Sequence, residues 1–480
     1  MSLSRKLCAV VLAAVLGAGL LAACAPPEGS ESALTWQACA EDAGFECARL
    51  SVPIDWSEPG GVRIDLAVVR DRADAAGGPV GTLISLPGGP GSSGVDQIID
   101  GTPGFSPELR ERFDIVSIDP RGVRRSSPVR CDRGLAFGRP NLVPDAGGRF
   151  ELVRAYAEEL AASCREQTGP LLDHLDAEST ARDLEALRIA LGERQISLYS
   201  RSYGTMPAQR YAELFPQRLR ASLLDSVDDH SLGGAEFLAT EARAGQDTFA
   251  EFVSWCDRDE RCVLRGSDLH GSYGELFAAA IRGELRAVSG APLAPLDLSS
   301  AVTQRLYGPQ WEELAKDLQA LSAQPRGGAA LPTQPRRTGE VVEFPGVILC
   351  SDWVFDIADQ AQWQRLWRAQ RDNARTLGAH FAWGAGSLCA GWPVAPKNPP
   401  HRPSIENGPP ILILNSRHDP ATPHEWAVQV AAQTPRAALL TYAGWGHGIY
   451  NRSACTMSAA DRYLVDLRLP VSDTCPAENR

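Results

Sequence analysis

The stretch QISLYSRSYGT, residues 195–205, reads as a buried strand that breaks sharply into a helix, with Ser202 at the break. A nucleophilic serine at such a turn is typically framed by G-x-S-x-G, because the strained backbone requires small neighbours two positions before and after it. Gly204 meets this requirement, whereas Ser200 stands where the first glycine is usual. Pro207 is a second irregularity, close enough to the helix start to be tolerated but able to kink the first turns. The stretch therefore predicts either a nucleophile on an unusual elbow or an ordinary serine in a turn.

Two later stretches supply an acid and a histidine, each after a predicted strand. Asp419 lies in NSRHDPATP, which begins at the end of the strand at 410–415, and His447 lies in GWGHG, after the strand at 438–442. The order Ser…Asp…His is the one that accompanies a serine on an elbow of this kind. We expect His447 to take the proton of Ser202 and return it to the leaving amine, while Asp419 orients the imidazole.

Neighbouring residues offer support or alternatives for these roles. Thr422 can orient the Asp419 carboxylate through its hydroxyl group. His418 and His424 are rival bases, although His418 is adjacent to the acid and His424 is expected to cap a helix or face solvent. Asp225, at the end of an earlier strand, is the alternative acid.

The segment LPGGPGSSG, residues 86–94, follows the strand at 82–86 and is a candidate for oxyanion stabilisation. Backbone N–H groups approach a developing oxyanion most easily where glycines leave room, and loss of one such donor typically costs about 3 kcal/mol. We assign this role to the N–H groups of Gly89 and of Tyr203, the residue directly after the serine.

The same segment also permits a phosphate-binding interpretation. Residues 89–94 spell G-x-G-x-x-G after a strand, and Asp114 follows at the distance that a ribose-binding acid would have. Pro87 and Pro90 fit a dinucleotide-binding turn poorly, however, and no G-K-[ST] ending follows. We therefore favour the oxyanion role.

Short apolar runs alternate with helical patterns along most of the chain, which is typical of a mainly parallel sheet covered on both faces. Residues 177–191 have the spacing of a helix that stops at Gly192. Near the start, residues 51–56 and 62–69 predict an antiparallel hairpin. The predicted buried strands are 82–86, 113–119, 196–200, 219–225, 410–415 and 438–442.

The region from 229 to 409 interrupts this alternation. It is rich in Trp, Gly and Pro and mostly helical in pattern, and strands resume at 410. An insertion between two strands of one sheet is expected to cover the carboxyl ends of the strands, where doubly wound sheets place their sites. We therefore predict an α/β core formed by residues 36–228 and 410–480, with a mostly helical cap at 229–409.

The first residues indicate export. Arg5 and Lys6 precede an apolar run, and residues 1–23 have the pattern of a signal peptide; the run is short for a permanent membrane span. Residues 21–24, LAAC, resemble a bacterial lipobox, which would make Cys24 the lipidated first residue of the mature chain. Plain cleavage without a lipid is the alternative. Residues 24–35 would form a tether.

The 12 cysteines agree with an oxidising compartment. Cys8 lies in the signal and Cys24 in the lipobox, which leaves an even number. Sequence does not prove connectivity, but neighbours along the chain suggest the pairs Cys39–Cys47, Cys131–Cys164, Cys256–Cys262, Cys350–Cys389 and Cys455–Cys475. No C-x-x-C pair or histidine cluster supports a metal site.

The overall composition argues against some classes of function. The 480 residues are 44% hydrophobic, which is globular composition, and carry a formal net charge of -12. Binding to phosphate backbones requires a basic face, so a nucleic-acid partner is not expected. The chain also lacks the internal repeats of about 20–50 residues that indicate solenoids.

Five motifs together resemble the secreted tripeptidyl aminopeptidases of actinobacteria, which are serine peptidases of the prolyl-aminopeptidase type with a TAP-like C-terminal segment. These motifs are PGGPG at 87–91, DPRG at 119–122, SYGT at 202–205, Asp419-Pro420 and GHG at 446–448. The resemblance spans about residues 36–475, including the cysteine placement. It implies an α/β-hydrolase fold, the triad Ser202, Asp419 and His447, and oxyanion donors at Gly89 and Tyr203. It also implies removal of short peptides, often tripeptides, from free N-termini. Ser200 is a departure from this resemblance, because the family usually has a glycine at that position.

An exopeptidase of this kind must bind a free ammonium group, and burying that charge without a partner is costly. The cap is therefore expected to supply a carboxylate. Asp229, at the start of the cap, and Asp352, after Cys350, are the candidates, although either can be structural. Trp353 and Trp392 can line the pocket or pack within the cap.

The sequence thus predicts an exported, lipid-anchored serine aminopeptidase that acts on peptide substrates with free N-termini and uses no cofactor. A carboxylesterase or lipase with the same triad is the first alternative, because only the pocket separates the two. A catalytically inactive binding lipoprotein is the second, and Ser200 and Pro207 are the features that favour it.

Overall fold

The structure, a computed structural model, describes residues 34–73, 78–287, 290–324 and 337–478. The predicted signal peptide, Cys24 and nearly all of the predicted tether lie outside these residues. Within the described ranges, none of the helices combines the length with the apolar character that crossing a membrane requires.

A ten-stranded sheet forms the centre of the described chain, in the order β1-β2-β3-β5-β4-β7-β8-β10-β11-β12. Strands β1 to β3 and β5 pair antiparallel at one edge, including the predicted early hairpin, and every pairing from β5 through β4 to β12 is parallel. A separate antiparallel pair joins β6 to β9. The strands are β1 Gln37–Ala38, β2 Glu46–Pro53, β3 Arg63–Asp71, β4 Gly81–Leu86, β5 Phe113–Ile118, β6 Arg130–Asp132, β7 Ile196–Ser202, β8 Leu219–Val227, β9 Val341–Glu343, β10 Ile411–His418, β11 Ala437–Trp445 and β12 Thr474–Cys475.

Helices cover both faces of this sheet, so the predicted doubly wound α/β class is confirmed. Helices α5, α6 and α13 bury their apolar residues in one cluster against the strands, and α1, α2 and α14 do so in a second cluster on the opposite face. The helices are α1 Gly94–Ile99, α2 Pro107–Arg112, α3 Arg133–Phe137, α4 Phe150–Thr168, α5 Ala177–Ala190, α6 Thr205–Leu214, α7 Gly234–Arg258, α8 Leu269–Ile281, α9 Pro295–Tyr307, α10 Trp311–Ala323, α11 Gln360–Asn373, α12 Ala382–Ala390, α13 His424–Gln433 and α14 Ala454–Asp466.

The insertion between β8 and β10 is mostly helical, with α7 to α12 and β9. It has its own apolar cluster, in which Trp353, Trp363, Trp367 and Trp383 are all at most 2% exposed. Trp353 is therefore a packing residue of the cap. A second segment joins this cap from before β7, since β6 pairs with β9 and α4 contacts α12. The sequence pattern placed that segment in the core.

Five disulfides occur in the described ranges, and they join the five pairs suggested by proximity along the chain. Three of them link different elements: Cys131–Cys164 connects β6 to α4, Cys350–Cys389 connects residues 345–351 to α12, and Cys455–Cys475 connects α14 to β12. Disulfides in this number are typical of proteins that fold outside the reducing cytosol.

The arginine of the DPRG motif, Arg121, forms a buried ion pair. Arg121 donates in bidentate geometry to Asp183 of α5, at 2.6 and 2.8 Å, and neither side chain is exposed. Its remaining N–H groups donate to the carbonyl oxygens of Pro53, Ile54 and His174. All N–H groups of the guanidinium therefore have acceptors. This is the condition under which the charge can be buried.

We predict that Asp183→Ala destabilises the fold by about 3–5 kcal/mol, because it leaves the Arg121 guanidinium buried without its counter-charge. Arg182→Ala, which removes an exposed pair with Glu178 on the same helix, is the control and is expected to cost under about 1 kcal/mol. Urea unfolding of both variants measures the difference. Equal losses in the two variants would contradict the assigned role of the buried pair.

Candidate active site

The turn after β7 has the geometry of a nucleophile elbow. Ser202 has φ of 57°, a left-handed conformation that is uncommon for a residue with a side chain. Position 204 requires a glycine, because a Cβ there would lie 2.5 Å from the carbonyl oxygen of Pro87 and 2.8 Å from that of Leu86. Gly88 is equally constrained, since its Cβ would lie 2.9 Å from Cβ of Ser202. The serine is therefore held against the loop that follows β4.

The two irregularities of the motif are accommodated by the local structure. Ser200 is fully buried, and its hydroxyl donates to the carbonyl oxygen of Leu223 on β8 at 3.2 Å. A small side chain with a satisfied hydroxyl thus replaces the usual glycine. Pro207 is the third residue of α6, in the first turn, where a backbone N–H has no partner within the helix.

Asp419 and His447 meet beside this elbow, as the sequence predicted they would. Asp419 follows β10, His447 follows β11, and Nδ1 of the imidazole lies 3.0 and 3.1 Å from the two carboxylate oxygens. The carboxylate also accepts from the N–H groups of Ala421 and Thr422 and from the hydroxyls of Ser226 and Thr422. Burial alone would raise the pKa of Asp419, but the nearby His447 and these donors lower the pKa below its usual value.

The rival residues lie elsewhere. Nδ1 of His418 pairs with Asp247 of the cap at 2.7 Å, and Nε2 of His424 bonds to the hydroxyl of Thr441 at 2.9 Å. Asp225 accepts from the N–H groups of Ile449 and Tyr450 and from the Tyr199 hydroxyl. It therefore anchors the loop after His447 and does not contact the imidazole, so the alternative acid is wrong.

Two N–H groups are available for an oxyanion. Gly89 has φ of 118°, which a glycine adopts without strain. Among the described residues, neither the N–H of Gly89 nor the N–H of Tyr203 donates to another protein group. The N–H of Gly204, in contrast, donates to the carbonyl oxygen of Arg201 at 3.0 Å. The unpaired donors lie on the two segments that meet at Ser202.

The cap contributes an aromatic side chain that the sequence did not single out. Tyr307, the last residue of α9, places its ring 4.8 Å from the ring of His447. Its carbonyl oxygen accepts from the N–H of His447 at 2.9 Å and from Arg452. The catalytic loop and the cap are thereby joined at the histidine.

Two acidic residues face this region as well. Asp228 follows β8; its N–H donates to the hydroxyl of Thr205, which donates to the carbonyl oxygen of Ser202. Within the described ranges no donor lies within hydrogen-bonding distance of the Asp228 carboxylate, although the residue is only 7% exposed. Glu241 of α7 lies 2.9 Å from Nδ1 of His380, whose Nε2 donates to the carbonyl oxygen of Pro420.

Several acidic groups lie close together here and influence each other's pKa values. Burial raises the pKa of Tyr307 well above its ordinary value, and the charges of Glu241, Asp419 and Asp228 raise it further. Burial, followed by Glu241 and Asp419, likewise raises the pKa of Asp228 well above the usual range. A region of this kind favours a cation.

The two predicted ammonium ligands are both enclosed by protein. Asp352 is fully buried and its oxygens accept from the Tyr203 hydroxyl, the N–H of Ala177 and the Asn398 amide. Burial and the nearby Asp176 raise the pKa of Asp352 to about 7, although those donors lower it. Asp229 is also fully buried, and one of its oxygens accepts from the N–H and hydroxyl of Ser231. The Asp352 oxygens are thus occupied by protein donors, whereas the second oxygen of Asp229 has no hydrogen-bond partner among the described residues.

A cavity of about 540 Å³ lies on another side of the cap. Phe137, Leu142, Tyr156 and Leu296 are among its lining residues, and no member of the Ser202, Asp419 and His447 group is. We do not include it in the site.

The sheet order, the elbow and the acid–histidine pair define an α/β-hydrolase with the constellation of a serine hydrolase. Residues 374–476 match the family described as TAP-like protein. The chain is 29% identical to a tripeptidyl aminopeptidase of Streptomyces lividans, over 95% of this chain and 88% of that protein. It is also 29% identical to the serine protease Hip1 of Mycobacterium tuberculosis, over 89% and 86%, and to a carboxylesterase B of the same species, over 88% and 85%. The resemblance predicted from the motifs is confirmed.

We predict that Ser200→Gly changes kcat/KM by no more than roughly three-fold, because the Ser200 hydroxyl is satisfied by β8 and lies below the elbow. Gly204→Ala is the contrasting variant. Its methyl group would overlap the carbonyl oxygen of Pro87, so we expect a loss of about 100-fold or more. Steady-state kinetics on a nitrophenyl ester or peptide reporter compares the two. A large gain in Ser200→Gly would show that the serine distorts the elbow.

Proposed function

We propose that the protein is a serine aminopeptidase that releases short peptides, such as tripeptides, from free N-termini. In this mechanism Ser202 attacks the scissile carbonyl, His447 accepts its proton and later protonates the leaving amine, and Asp419 stabilises the imidazolium. The N–H groups of Gly89 and Tyr203 hold the oxyanion. Water then releases the acyl group with His447 as the base.

The observation that carries this proposal is the unpaired Asp228 carboxylate beside the elbow, together with Glu241. Asp228 is linked through the Thr205 hydroxyl to the carbonyl of Ser202. Burial is the main reason that the pKa values of both carboxyl groups are raised, and the charge of Glu241 raises that of Asp228 further. A substrate ammonium group beside them would stabilise their charged forms. We therefore assign the N-terminal ammonium site to Asp228 and Glu241, in place of Asp229 and Asp352.

Glu241 also lies close to His380, with one carboxylate oxygen 2.9 Å from Nδ1 of the ring. The His380 ring lies between the Glu241 carboxylate and the carbonyl oxygen of Pro420, the residue after Asp419. Helix α7 is thus close to the loop that carries Asp419. The distance between an ammonium site and the nucleophile determines how far from the N-terminus the scissile bond lies, which is what limits an exopeptidase to short products.

A carboxylesterase is the second candidate. One relative with the same extent of similarity bears that name, and the triad chemistry serves esters and amides alike. An ester substrate without an amino group gains nothing from Asp228 and Glu241, however. Burial of these two carboxylates therefore favours the peptidase.

Export and lipid anchoring are further parts of the proposal. Five disulfides support folding in an oxidising compartment. The lipobox at Cys24 would then hold the enzyme at the outer side of the cytoplasmic membrane. Mass spectrometry of the membrane fraction, with Cys24→Ser as the control, tests the anchor.

The function is tested with a free tripeptide nitroanilide, its N-acetylated form and nitrophenyl acetate. We expect cleavage of the free peptide, little cleavage of the acetylated peptide, and a loss of about 10⁶-fold in kcat for Ser202→Ala. Ester turnover without peptide cleavage would identify an esterase. Equal rates on the free and acetylated peptides would exclude an ammonium requirement.

We predict that Asp228→Asn lowers kcat/KM for the free peptide roughly 100-fold, because the substrate ammonium loses a buried counter-charge. Turnover of nitrophenyl acetate should change little. Asp229→Asn is the matched control: the adjacent carboxylate is turned toward Ser231 and should leave substrate recognition intact. The opposite result for the two variants would return the anchor to Asp229.

The raised pKa of Asp228 predicts a pH dependence of binding. Below that pKa the carboxyl is neutral and attracts the ammonium weakly, so KM for the free peptide should fall as the pH rises through it. KM should increase again as the substrate amine, with a pKa of about 8, loses its proton. The acidic limb should vanish in Asp228→Asn, and nitrophenyl acetate should show neither limb in KM.

A further inference from the structure

A cap residue is bound to the side chain that follows the nucleophile. The Tyr203 hydroxyl donates to Asp352 at 2.6 Å, across the boundary between the cap and the core. Tyr203 is also the residue whose backbone N–H is available to an oxyanion. The contact therefore joins the cap to one half of the oxyanion hole.

Asp352 is itself fixed from several directions. Its second oxygen accepts from the N–H of Ala177, at the start of α5, and from the Asn398 amide, both at 2.9 Å. Its backbone carbonyl accepts from His230 at 2.8 Å. Cys350, two residues earlier, is held to α12 by a disulfide. Because these contacts hold the Asp352 carboxylate in place, its hydrogen bond restrains the position of the Tyr203 phenol.

The Tyr203 backbone needs such a restraint. The peptide group between Ser202 and Tyr203 follows a left-handed residue. Its carbonyl oxygen accepts from the Thr205 hydroxyl at 2.7 Å, whereas its N–H has no acceptor among the described residues. The next N–H, that of Gly204, is bonded to Arg201. The Thr205 hydroxyl therefore holds the carbonyl side of this peptide group, and the phenol contact adds a second restraint on the residue that carries its N–H.

We propose that Asp352 is a positioning residue, which fixes the oxyanion donor of Tyr203 by holding the Tyr203 phenol. The same cap segment, residues 345–352, also packs against the other half of the hole, because Pro345 lies directly against Gly91, two residues after Gly89. The cap segment thus contacts both segments that carry the donors. The inference rests on the proposed chemistry at Ser202 and is independent of whether the acyl group is a peptide.

The first test is Tyr203→Phe, which removes the phenol oxygen and keeps the backbone N–H. We expect kcat for nitrophenyl acetate to fall about ten-fold, part of the effect of losing a donor entirely, with KM nearly unchanged. The dissociation constant of phenylboronic acid, whose serine adduct places an oxygen in the hole, should rise by a similar factor. A structural effect alone would lower thermal stability without weakening the boronate.

Tyr211→Phe is the matched control. Its hydroxyl donates to Glu185 at 2.9 Å on the far side of α6, so it removes an equivalent tyrosine–carboxylate bond away from the site. It should change neither kcat nor boronate affinity. If both tyrosine variants lose activity to the same extent, or if Tyr203→Phe keeps full kcat and boronate affinity, the proposal is overturned.

Asp352→Asn and the double variant with Tyr203→Phe separate positioning from general damage. If Asp352 acts through the phenol, the kcat of the double variant should equal that of the less active single variant. Multiplied losses would mean that Asp352 acts by another route and would overturn the proposal. Should Asp352→Asn fail to fold, the boronate affinity of Tyr203→Phe decides the question.

Because nitrophenyl acetate and phenylboronic acid carry no amino group, these results do not depend on the ammonium site. Failure of the aminopeptidase proposal would appear as equal turnover of free and acetylated peptides. Failure of the positioning proposal would appear as an unchanged boronate affinity. The two outcomes can be told apart in the same set of proteins.

Discussion

The left-handed backbone at Ser202 is the constraint on which the rest of the site depends. It turns the chain so sharply that Gly88 and Gly204 must approach the serine without side chains. The N–H that follows this turn has no acceptor among the described residues. Strain of this kind persists only where the surroundings determine it completely, and here β4, β7 and the cap all contribute.

The end of β8 organises the other half of the site. Asp225 holds the N–H groups of Ile449 and Tyr450, while the Ser226 hydroxyl donates to Asp419 and accepts from Gly448. The loop that carries His447 is therefore fixed from two adjacent positions of one strand. These contacts explain the position of Asp225. It lies at a strand end, where a triad acid could also lie, but it supports the loop that carries His447.

Patterns local in the chain predicted what depends on local structure. The strands, the elbow at Ser202, the acid and histidine after β10 and β11, and the disulfides between neighbouring cysteines all have signals within a few residues. Asp228, Glu241 and Tyr307 have no such signal, because an isolated acidic or aromatic residue in a loop or helix is usually solvated or packed. Their significance comes only from tertiary contacts. The same limit explains why Asp352, which follows Cys350, looked like a ligand and is instead enclosed by Tyr203, Ala177 and Asn398.

The order of the strands has a consequence for when activity arises. Ser202 lies at the end of β7, whereas Asp419 and His447 come from β10 and β11, after the entire cap. Contacts this distant in sequence carry a high loop-closure cost and are expected to form late in folding. A chain in which only the earlier strands have folded would hold the serine without its base. Hydrolysis by this protein therefore requires that β10 and β11 have already joined the sheet.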